Sequence, residues 1–342
     1  MKICYIYRKP QSIYFSIEKI FRQVASFLND RAQIGEVEAP YSRMTPGNIV
    51  KNFKVIGKQQ ADVYHVTGDV HYLVMGLPRK KTVLTIHDCV FLYNANGVKR
   101  WLLSLFFLKW PVRHCHTITT ISQKSRDEII EHSGCSPDKV VVVPNPVGEH
   151  FYYLTKEFNE SKPALLFIGS TPNKNLERVI EALKGISCQL IIVGMINSTQ
   201  KQLLEKANIS FQLLKGLSEQ ALADVYAGCD IVLFPSTYEG FGLPIIEGQK
   251  SGRPVITSHI SPMKDVAGEG ACLVDPMSVS SIRAGIERVI SNSPYRESIV
   301  QKGFENVKQY EAAAIANMYF QVYQQVISQP AYTSASACSD NP

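Results

Sequence analysis

Short apolar runs alternate along the chain with segments in which apolar residues recur every three to four positions. Lys2–Tyr7, Ala164–Ile168 and Asp230–Phe234 have the length and composition of buried strands, whereas Phe15–Leu28 and Glu219–Ala227 have helical spacing. The same criteria predict further strands at Asp62–Val66, Thr82–Ile86, Thr117–Ile121, Lys139–Val143, Gln189–Val193, Ile209–Leu214 and Val255–Thr257. This alternation of strands and helices predicts an α/β fold.

The most informative stretch runs from residue 229 to residue 257. Its apolar strand ends at Pro235, and Leu243 begins a short helix that ends before Gly252. The intervening loop, Ser236–Gly242, therefore follows the carboxyl end of a strand, which is where α/β proteins bind ligands. Backbone N–H groups and the positive end of the helix can hold a phosphate there.

Two carboxylates flank this loop, and the spacing lets both face one crevice. Taken alone, Glu239 could be a solvated acid in a loop and Glu247 an acid on a helix surface. However, the sequence from Glu239 to Glu247, EGFGLPIIE, resembles the E-x7-E signature of the retaining glycosyltransferases of family 4. That resemblance implies that Glu239 contacts the donor sugar and that Glu247 binds the ribose of the nucleotide. It also implies donor contacts from the loop residues Gly240, Phe241, Gly242 and Leu243.

A second polar loop, GSTPNKN at 169–175, follows another predicted strand and precedes a helix. It resembles the G-x4-K-N stretch of the family, in which the lysine, here Lys174, holds the donor diphosphate. A lysine at a helix start adds a point charge to a site that already favours anions. Ser170 and Thr171 are expected to contact the donor. The family often has an arginine in this loop, and Arg8 is the candidate to replace it.

The first half of the chain resembles the family more loosely. Its first loop reads RKPQSIY from Arg8 and lacks the usual glycines, so Arg8, Lys9 and Ser12 would have to supply side-chain donors. His87 matches the family histidine at a strand end near the donor sugar, and a histidine can donate or accept a hydrogen bond there. Leu217 lies in a turn against which the family places the base.

The resemblance implies the GT-B architecture, with two Rossmann-like domains facing across a cleft. The motif PNPVG, at 144–148, resembles the link between the domains. We therefore expect an acceptor domain over 1–150 and a nucleotide-sugar domain over 151–310. A terminal helix over 311–329 is expected to cross back to the first domain, and the small polar residues of 330–342 are expected to be disordered.

Composition narrows the function classes further. The chain has 342 residues, 45% of them hydrophobic, and a net charge of +6, which suits phosphate-bearing ligands or an anionic membrane. The eight cysteines form no CxxC pair and are predicted to be free thiols. The sequence contains no dinucleotide-binding fingerprint, no P-loop and no D-x-D pair. It therefore predicts no cofactor and no metal, and a cluster typical of nucleic-acid binding is absent.

The stretch Lys99–Arg113, KRWLLSLFFLKWPVR, combines apolar residues with basic ends. As a single ideal helix it would place Trp101 and Trp110 on opposite sides, because nine residues make two and a half turns. It could cover the sheet of the first domain or rest on a membrane. We expect weak peripheral contact with anionic lipid that high salt releases.

These features predict a retaining glycosyltransferase that moves a sugar from a nucleotide diphosphate sugar to an acceptor hydroxyl. The acceptor would be a glycan or a lipid-linked glycan in cell-surface polysaccharide or glycolipid synthesis. The protein would be cytoplasmic, at times at the inner face of the membrane. Two alternatives remain open at this point: a nucleotide-sugar epimerase on the same fold, and a non-catalytic nucleotide-sugar-binding partner of another transferase.

Overall fold

The computed structural model describes residues 1–9, 16–93 and 95–328. The chain divides into two compact units, one formed by residues 1–144 together with the segment from Ile315 onward, the other by Asn145–Ala314. Each unit contains a six-stranded sheet, and every strand pair is parallel. The prediction of an α/β fold is confirmed. Ser12 and the predicted tail over 330–342 lie outside the described residues.

The first sheet has the strand order β2-β1-β3-β4-β5-β6. Its strands are β1 Lys2–Tyr7, β2 Gln33–Glu38, β3 Val63–Val66, β4 Thr82–Thr85, β5 Thr117–Thr120 and β6 Val140–Val142. Its helices are α1 Ser16–Ser26, α2 Pro46–Ile56, α3 Val90–Tyr93, α4 Gly97–Leu103, α5 Trp110–His114 and α6 Gln123–Ser133. The order reverses between β1 and β3, so the loops after these two strands lie at a topological switch point.

The first unit completes its core with the last helix of the described chain. The last three helices of the described residues are α12 Val279–Ser291, α13 Ser293–Val307 and α14 Ala312–Ser328. α14 buries Ile315, Tyr319 and Tyr323 against Tyr5 and Phe21. The Tyr323 hydroxyl lies 2.7 Å from Nδ1 of His65, whose Nε2 lies 2.7 Å from Oγ1 of Thr85. This buried network fixes α14 on the first sheet.

The second sheet has the strand order β12-β11-β10-β7-β8-β9. Its strands are β7 Ala164–Ile168, β8 Gln189–Val193, β9 Ser210–Leu214, β10 Ile231–Phe234, β11 Val255–Ser258 and β12 Cys272–Val274. Its remaining helices are α7 Leu176–Leu183, α8 Ser198–Lys206, α9 Glu219–Gly228, α10 Leu243–Lys250 and α11 Met263–Ala267. Here the order reverses between β7 and β10, which are hydrogen-bonded neighbours.

The segment expected to form one regular helix over Lys99–Arg113 has a different structure. α4 and α5 are joined by a π-helical turn over Ser104–Lys109. The turn changes which side chains share a face, so the ideal-helix geometry that places Trp101 and Trp110 on opposite sides does not apply to this segment.

Candidate active site

The loops after β7 and β10 meet at the switch point of the second sheet. Asn173 binds the second loop through its backbone, because its carbonyl accepts the N–H of Thr237 at 2.8 Å. Its side-chain amide donates to the carbonyl of Tyr238 at 2.9 Å and to Glu239 Oε1 at 3.3 Å. The two loops that carry the predicted motifs are therefore held together directly.

Lys174 and Glu239, predicted from separate motifs, form a salt bridge. Lys174 Nζ lies 2.7 Å from Glu239 Oε1, and both side chains are mostly buried. The same ammonium lies 4.7 Å from the centroid of the Phe234 ring, at the end of β10. Gly169 permits this path, because a Cβ at its left-handed φ of +94° would lie 2.9 Å from the Cε atom of Lys174.

Asn175 explains why the lysine points into this crevice. It has a left-handed φ of 73° and ends the turn that carries Lys174. Its buried amide donates to the carbonyls of Pro235 at 2.9 Å and Pro276 at 2.7 Å. The asparagine thus anchors the first loop to the end of β10 before α7 begins.

Glu247 lies one turn inside α10, and its carboxylate accepts a hydrogen bond of 2.6 Å from the hydroxyl of Tyr226. Burial raises the pKa of Glu247 to about 7, although the bond from Tyr226 and the charge of Lys174 oppose that rise. Lys174 therefore forms a salt bridge with Glu239 and also lowers the pKa of Glu247 through its charge. Tyr226 is fully buried on α9 and was not predicted, because an apolar helix face gives no sign of a hydroxyl aimed at a carboxylate.

The start of α10 is shaped by glycines. Gly242, at a φ of +115°, precedes its first residue, and no side chain caps this helix end. A Cβ on Gly248 would lie 2.9 Å from Val255 and 3.0 Å from Val232, so the glycine lets α10 approach the sheet closely. The helix start and its N–H groups are thereby held beside the loop that carries Glu239, in a position suited to an anion.

The other predicted donor residues of this unit differ in position. Gly240, Leu243, Ser170 and Thr171 belong to the same two loops. Phe241 is buried, and its ring packs edge-on against Tyr310 with a centroid distance of 5.8 Å, so only its backbone is available to a ligand. Leu217 follows β9, which is separated from β7 by β8, so it does not belong to the two loops that meet at the switch point.

Two predicted residues, His87 and Arg8, belong to the first unit and lie at its own switch point. The ring of His87 covers Gly68, and its Nε2 donates to the carbonyl of Thr67 at 2.9 Å. Arg8 Nε donates to the buried Glu18 at 2.8 Å, and the guanidinium also pairs with Asp69. Arg8 is thus engaged by two carboxylates, which reduces its capacity to act as a phosphate ligand.

The residues that the structure describes contain no group of three or more His, Cys, Asp and Glu side chains that could hold a metal ion. The positive charge at the second switch point comes from Lys174 and from the start of α10. This arrangement can bind an anion and, beside it, a group rich in hydroxyls.

Comparison with known families decides the identity of the chain. Residues 155–306 match the model described as glycosyl transferases group 1, and residues 30–150 match the model of glycosyltransferase family 4. The chain belongs to the family 4 glycosyltransferases. It is an enzyme of sugar transfer, and the predicted family is confirmed.

Curated relatives of this glycosyltransferase include two O-antigen chain mannosyltransferases. RfbU of Salmonella typhimurium is 28% identical over 68% of this chain and 68% of its own length. Mannosyltransferase B of Escherichia coli is 28% identical over 72% of this chain and 70% of its own length. An MMP alpha-(1->4)-mannosyltransferase of Mycolicibacterium hassiacum is 24% identical over 68% of this chain, and the match spans 60% of that protein.

Solved structures agree on the fold. A glycosyltransferase from Rickettsia africae has a TM-score of 0.78 at 18% identity, with 96% of this chain and all of the other covered. HepE from Anabaena, solved in complex with UDP and glucose, has a TM-score of 0.75 at 14% identity, with 95% of this chain and all of HepE covered. The predicted GT-B fold is confirmed.

Proposed function

We propose that this glycosyltransferase moves a sugar from a nucleotide diphosphate sugar to an acceptor hydroxyl with retention of the anomeric configuration. The observation that carries the proposal is the contact between Lys174 and Glu239, which places a cation and a hydroxyl-binding carboxylate side by side at a switch point. The resemblance of both surrounding motifs to the family supports assigning the diphosphate to Lys174 and the sugar to Glu239.

In this proposal the bond between the anomeric carbon and the diphosphate oxygen breaks, the acceptor oxygen forms the new bond, and the proton of the acceptor hydroxyl passes to the leaving diphosphate. Negative charge then develops on the leaving diphosphate. The ammonium of Lys174 and the N–H groups at the start of α10 stabilise that charge without an added metal. Retention of the anomeric configuration is inferred from the resemblance to the family.

Glu247 is assigned to the ribose of the donor. Its carboxylate lies one turn behind the anion-binding end of α10, and the Tyr226 hydroxyl at 2.6 Å fixes its orientation. A carboxylate in this position can accept hydrogen bonds from two neighbouring hydroxyls. His87 of the first unit is assigned to the donor sugar, and the first unit to the acceptor.

The acceptor is proposed to be a glycan or a lipid-linked glycan of a cell-surface polysaccharide or glycolipid. Three relatives are named as mannosyltransferases, and two of these act on O-antigen chains according to their names. Mannose is therefore the first sugar to test.

The deciding experiment is a panel of donors that includes GDP-mannose and UDP-glucose, each incubated with and without lipid-linked acceptors. Transfer with retained anomeric configuration, measured by NMR of the product, is expected for one donor. Conversion of a donor alone into another sugar would identify an epimerase. Tight donor binding with neither transfer nor hydrolysis across the panel would contradict the proposal.

A further inference from the structure

The segment Gly97–His114 is a continuous helical stretch that covers one face of the first sheet. Its inner side buries Leu108 and Val112 in the core of the first unit, and Leu103 packs against the same core. The inner side thus accounts for only part of the apolar residues of the segment.

The π-turn determines which side chains lie on the outer, solvent-facing side of the segment. The N–H of Trp110 donates to the carbonyl of Leu105, five residues earlier instead of four. Such a turn accommodates one extra residue and rotates everything after it by about 100°. The angle between Trp101 and Trp110 therefore falls from about 180° in a regular helix to about 80°. Both tryptophans lie on the outer side.

This outer side is apolar and exposed to solvent. The exposed fractions are 63% for Trp101, 41% for Phe106 and 42% for Trp110, and the rings of Phe106 and Trp110 contact each other edge-on at 4.7 Å. We call the five exposed residues of this side the aromatic face: Val98, Trp101, Leu102, Phe106 and Trp110. Contiguous exposed apolar surface of this kind indicates an interaction site.

The segment itself carries charge of one sign, whereas α6, which packs against the π-turn, carries Asp127, Glu128 and Glu131. Asp88 is the only acidic residue from Val70 to Arg126. Four exposed basic residues belong to the segment itself: Lys99, Arg100, Lys109 and Arg113. Three more, Arg79–Lys81, lie close to its end, because His114 Nε2 donates to the carbonyl of Leu77 at 2.9 Å. Within the described part of the chain, none of these seven cations forms a salt bridge.

We propose that the aromatic face inserts into the headgroup region of an anionic lipid bilayer while the surrounding cations contact lipid phosphates. Tryptophan suits this depth because its ring is apolar and its N–H is polar. The positive charge of the segment favours an anionic surface, and a helical segment with an apolar outer side can lie flat in the interface. No helix in the described residues is both long enough and apolar enough to cross a bilayer, so this contact is peripheral.

The proposal alters the expected response to salt. Contact through basic residues alone would be lost when salt screens the charges. Insertion of three aromatic side chains adds a contribution that salt does not screen. High salt is therefore expected to weaken binding to anionic vesicles without changing the environment of the tryptophans in the fraction that stays bound.

The chain supplies its own reporters, because its only two tryptophans, Trp101 and Trp110, both belong to the aromatic face. The full-length protein is mixed with vesicles of phosphatidylcholine containing about one-third phosphatidylglycerol, with phosphatidylcholine vesicles as the comparison. We expect tryptophan emission to move to shorter wavelength with the anionic vesicles. Lipids brominated on the acyl chains should reduce it by about twofold or more.

Variants separate insertion from charge. Phe106→Ser keeps both reporters and is expected to weaken vesicle binding about tenfold, and Trp101→Ser should act similarly with Trp110 still reporting. The control is Met195→Ser, which removes a side chain that is 75% exposed in the second unit and should leave binding unchanged. Lys99→Glu combined with Arg100→Glu should remove the preference for anionic lipid. Circular dichroism checks that each variant folds.

Three results would overturn the proposal. One is co-sedimentation with anionic vesicles while tryptophan emission and quenching stay unchanged. Another is equal vesicle binding by wild type, Phe106→Ser and Trp101→Ser. The third is self-association in the absence of lipid that Phe106→Ser abolishes, because the aromatic face would then be a contact between copies of the chain.

Discussion

Lys174 Nζ lies 2.7 Å from Glu239 Oε1, and the two residues come from loops that follow neighbouring strands of one sheet. A bound diphosphate would compete with the carboxylate for the same ammonium. Lys174→Ala is therefore expected to lower kcat/KM by about 10²- to 10³-fold, as for loss of other groups that stabilise developing negative charge. Steady-state kinetics test this, with Lys174→Arg as the charge-conserving control. A loss of thermal stability without a loss of transfer would contradict the assignment.

Glu239→Gln and Glu247→Gln should differ in what they impair. Glu247→Gln is expected to weaken binding of the free nucleoside diphosphate by about 1.5 to 3 kcal/mol, because the ribose loses a charged acceptor. Glu239→Gln should leave that affinity nearly unchanged while transfer falls. Calorimetric titration of both variants measures the difference. Equal losses of nucleotide affinity would show that the division between sugar and ribose is wrong.

The raised pKa of Glu247 predicts a pH dependence of binding. Burial raises this pKa to about 7, so the carboxylate form becomes dominant only as the pH rises through that value. Nucleotide affinity should therefore increase from pH 6 to pH 8, in a range where an ordinary glutamate, with a pKa of 4.5, is ionised. Titrations across this range test the prediction. Glu247→Gln should show a smaller rise than wild type, because only the phosphate of the nucleotide, with a pKa of about 6, then titrates.

Glu247 should also make the folding stability depend on pH, but stability should fall with rising pH whereas nucleotide affinity rises. The folded protein holds the proton of Glu247 more tightly than the unfolded chain, so its contribution is greatest below the unfolded pKa of 4.5. That contribution falls as the pH rises through about 7 and is worth up to about 3 kcal/mol. Denaturant unfolding from pH 5 to pH 8 should show a smaller decline for Glu247→Gln than for wild type.

Transfer should survive a chelator. The charge that a metal would supply is assigned to Lys174 and to the start of α10. Initial rates in excess EDTA should equal those in untreated enzyme. Loss of activity that only Mg²⁺ or Mn²⁺ restores would overturn the metal-free mechanism.

Tyr323→Phe tests the docking of α14 on the first sheet. It removes the hydroxyl that lies 2.7 Å from Nδ1 of His65 and leaves a buried ring nitrogen without that partner. Burial lowers the pKa of His65 to about 3, so the histidine cannot compensate by taking a charge. We expect a loss of about 1 to 3 kcal/mol in the free energy of unfolding, measured by denaturant titration. An unchanged value would contradict the importance of the network.

The sequence predicted the apolar strands well because burial on both faces leaves a continuous hydrophobic run, as in Ala164–Ile168 and Ile231–Phe234. It missed β2, Gln33–Glu38, because an edge strand exposed along much of its length can carry glutamine and glutamate. The two loops with Lys174 and Glu239 could be found from their motifs. Tyr226 could not, since its contact with Glu247 depends on how α9 packs.

The π-turn shows a second kind of limit. Leu102, Phe106 and Leu108 suit a regular helix as well as an interrupted one, so periodicity alone placed the two tryptophans on opposite sides. One backbone hydrogen bond, from Trp110 to Leu105, changes the outcome for the whole outer side. Whether the π-turn is stable depends on how the segment packs against the sheet, and the spacing of apolar residues in the sequence does not contain that information.

The place of α14 in the first unit has a consequence for biosynthesis. The second unit, Asn145–Ala314, is continuous in the chain and can finish folding as soon as it has left the ribosome. The first unit is made earlier but cannot finish folding, because Tyr5 and Phe21 are covered by Tyr319 and Tyr323 only when α14 emerges. The part translated first is thus the last to mature. Until then the nascent protein carries an open apolar surface that chaperones would have to shield.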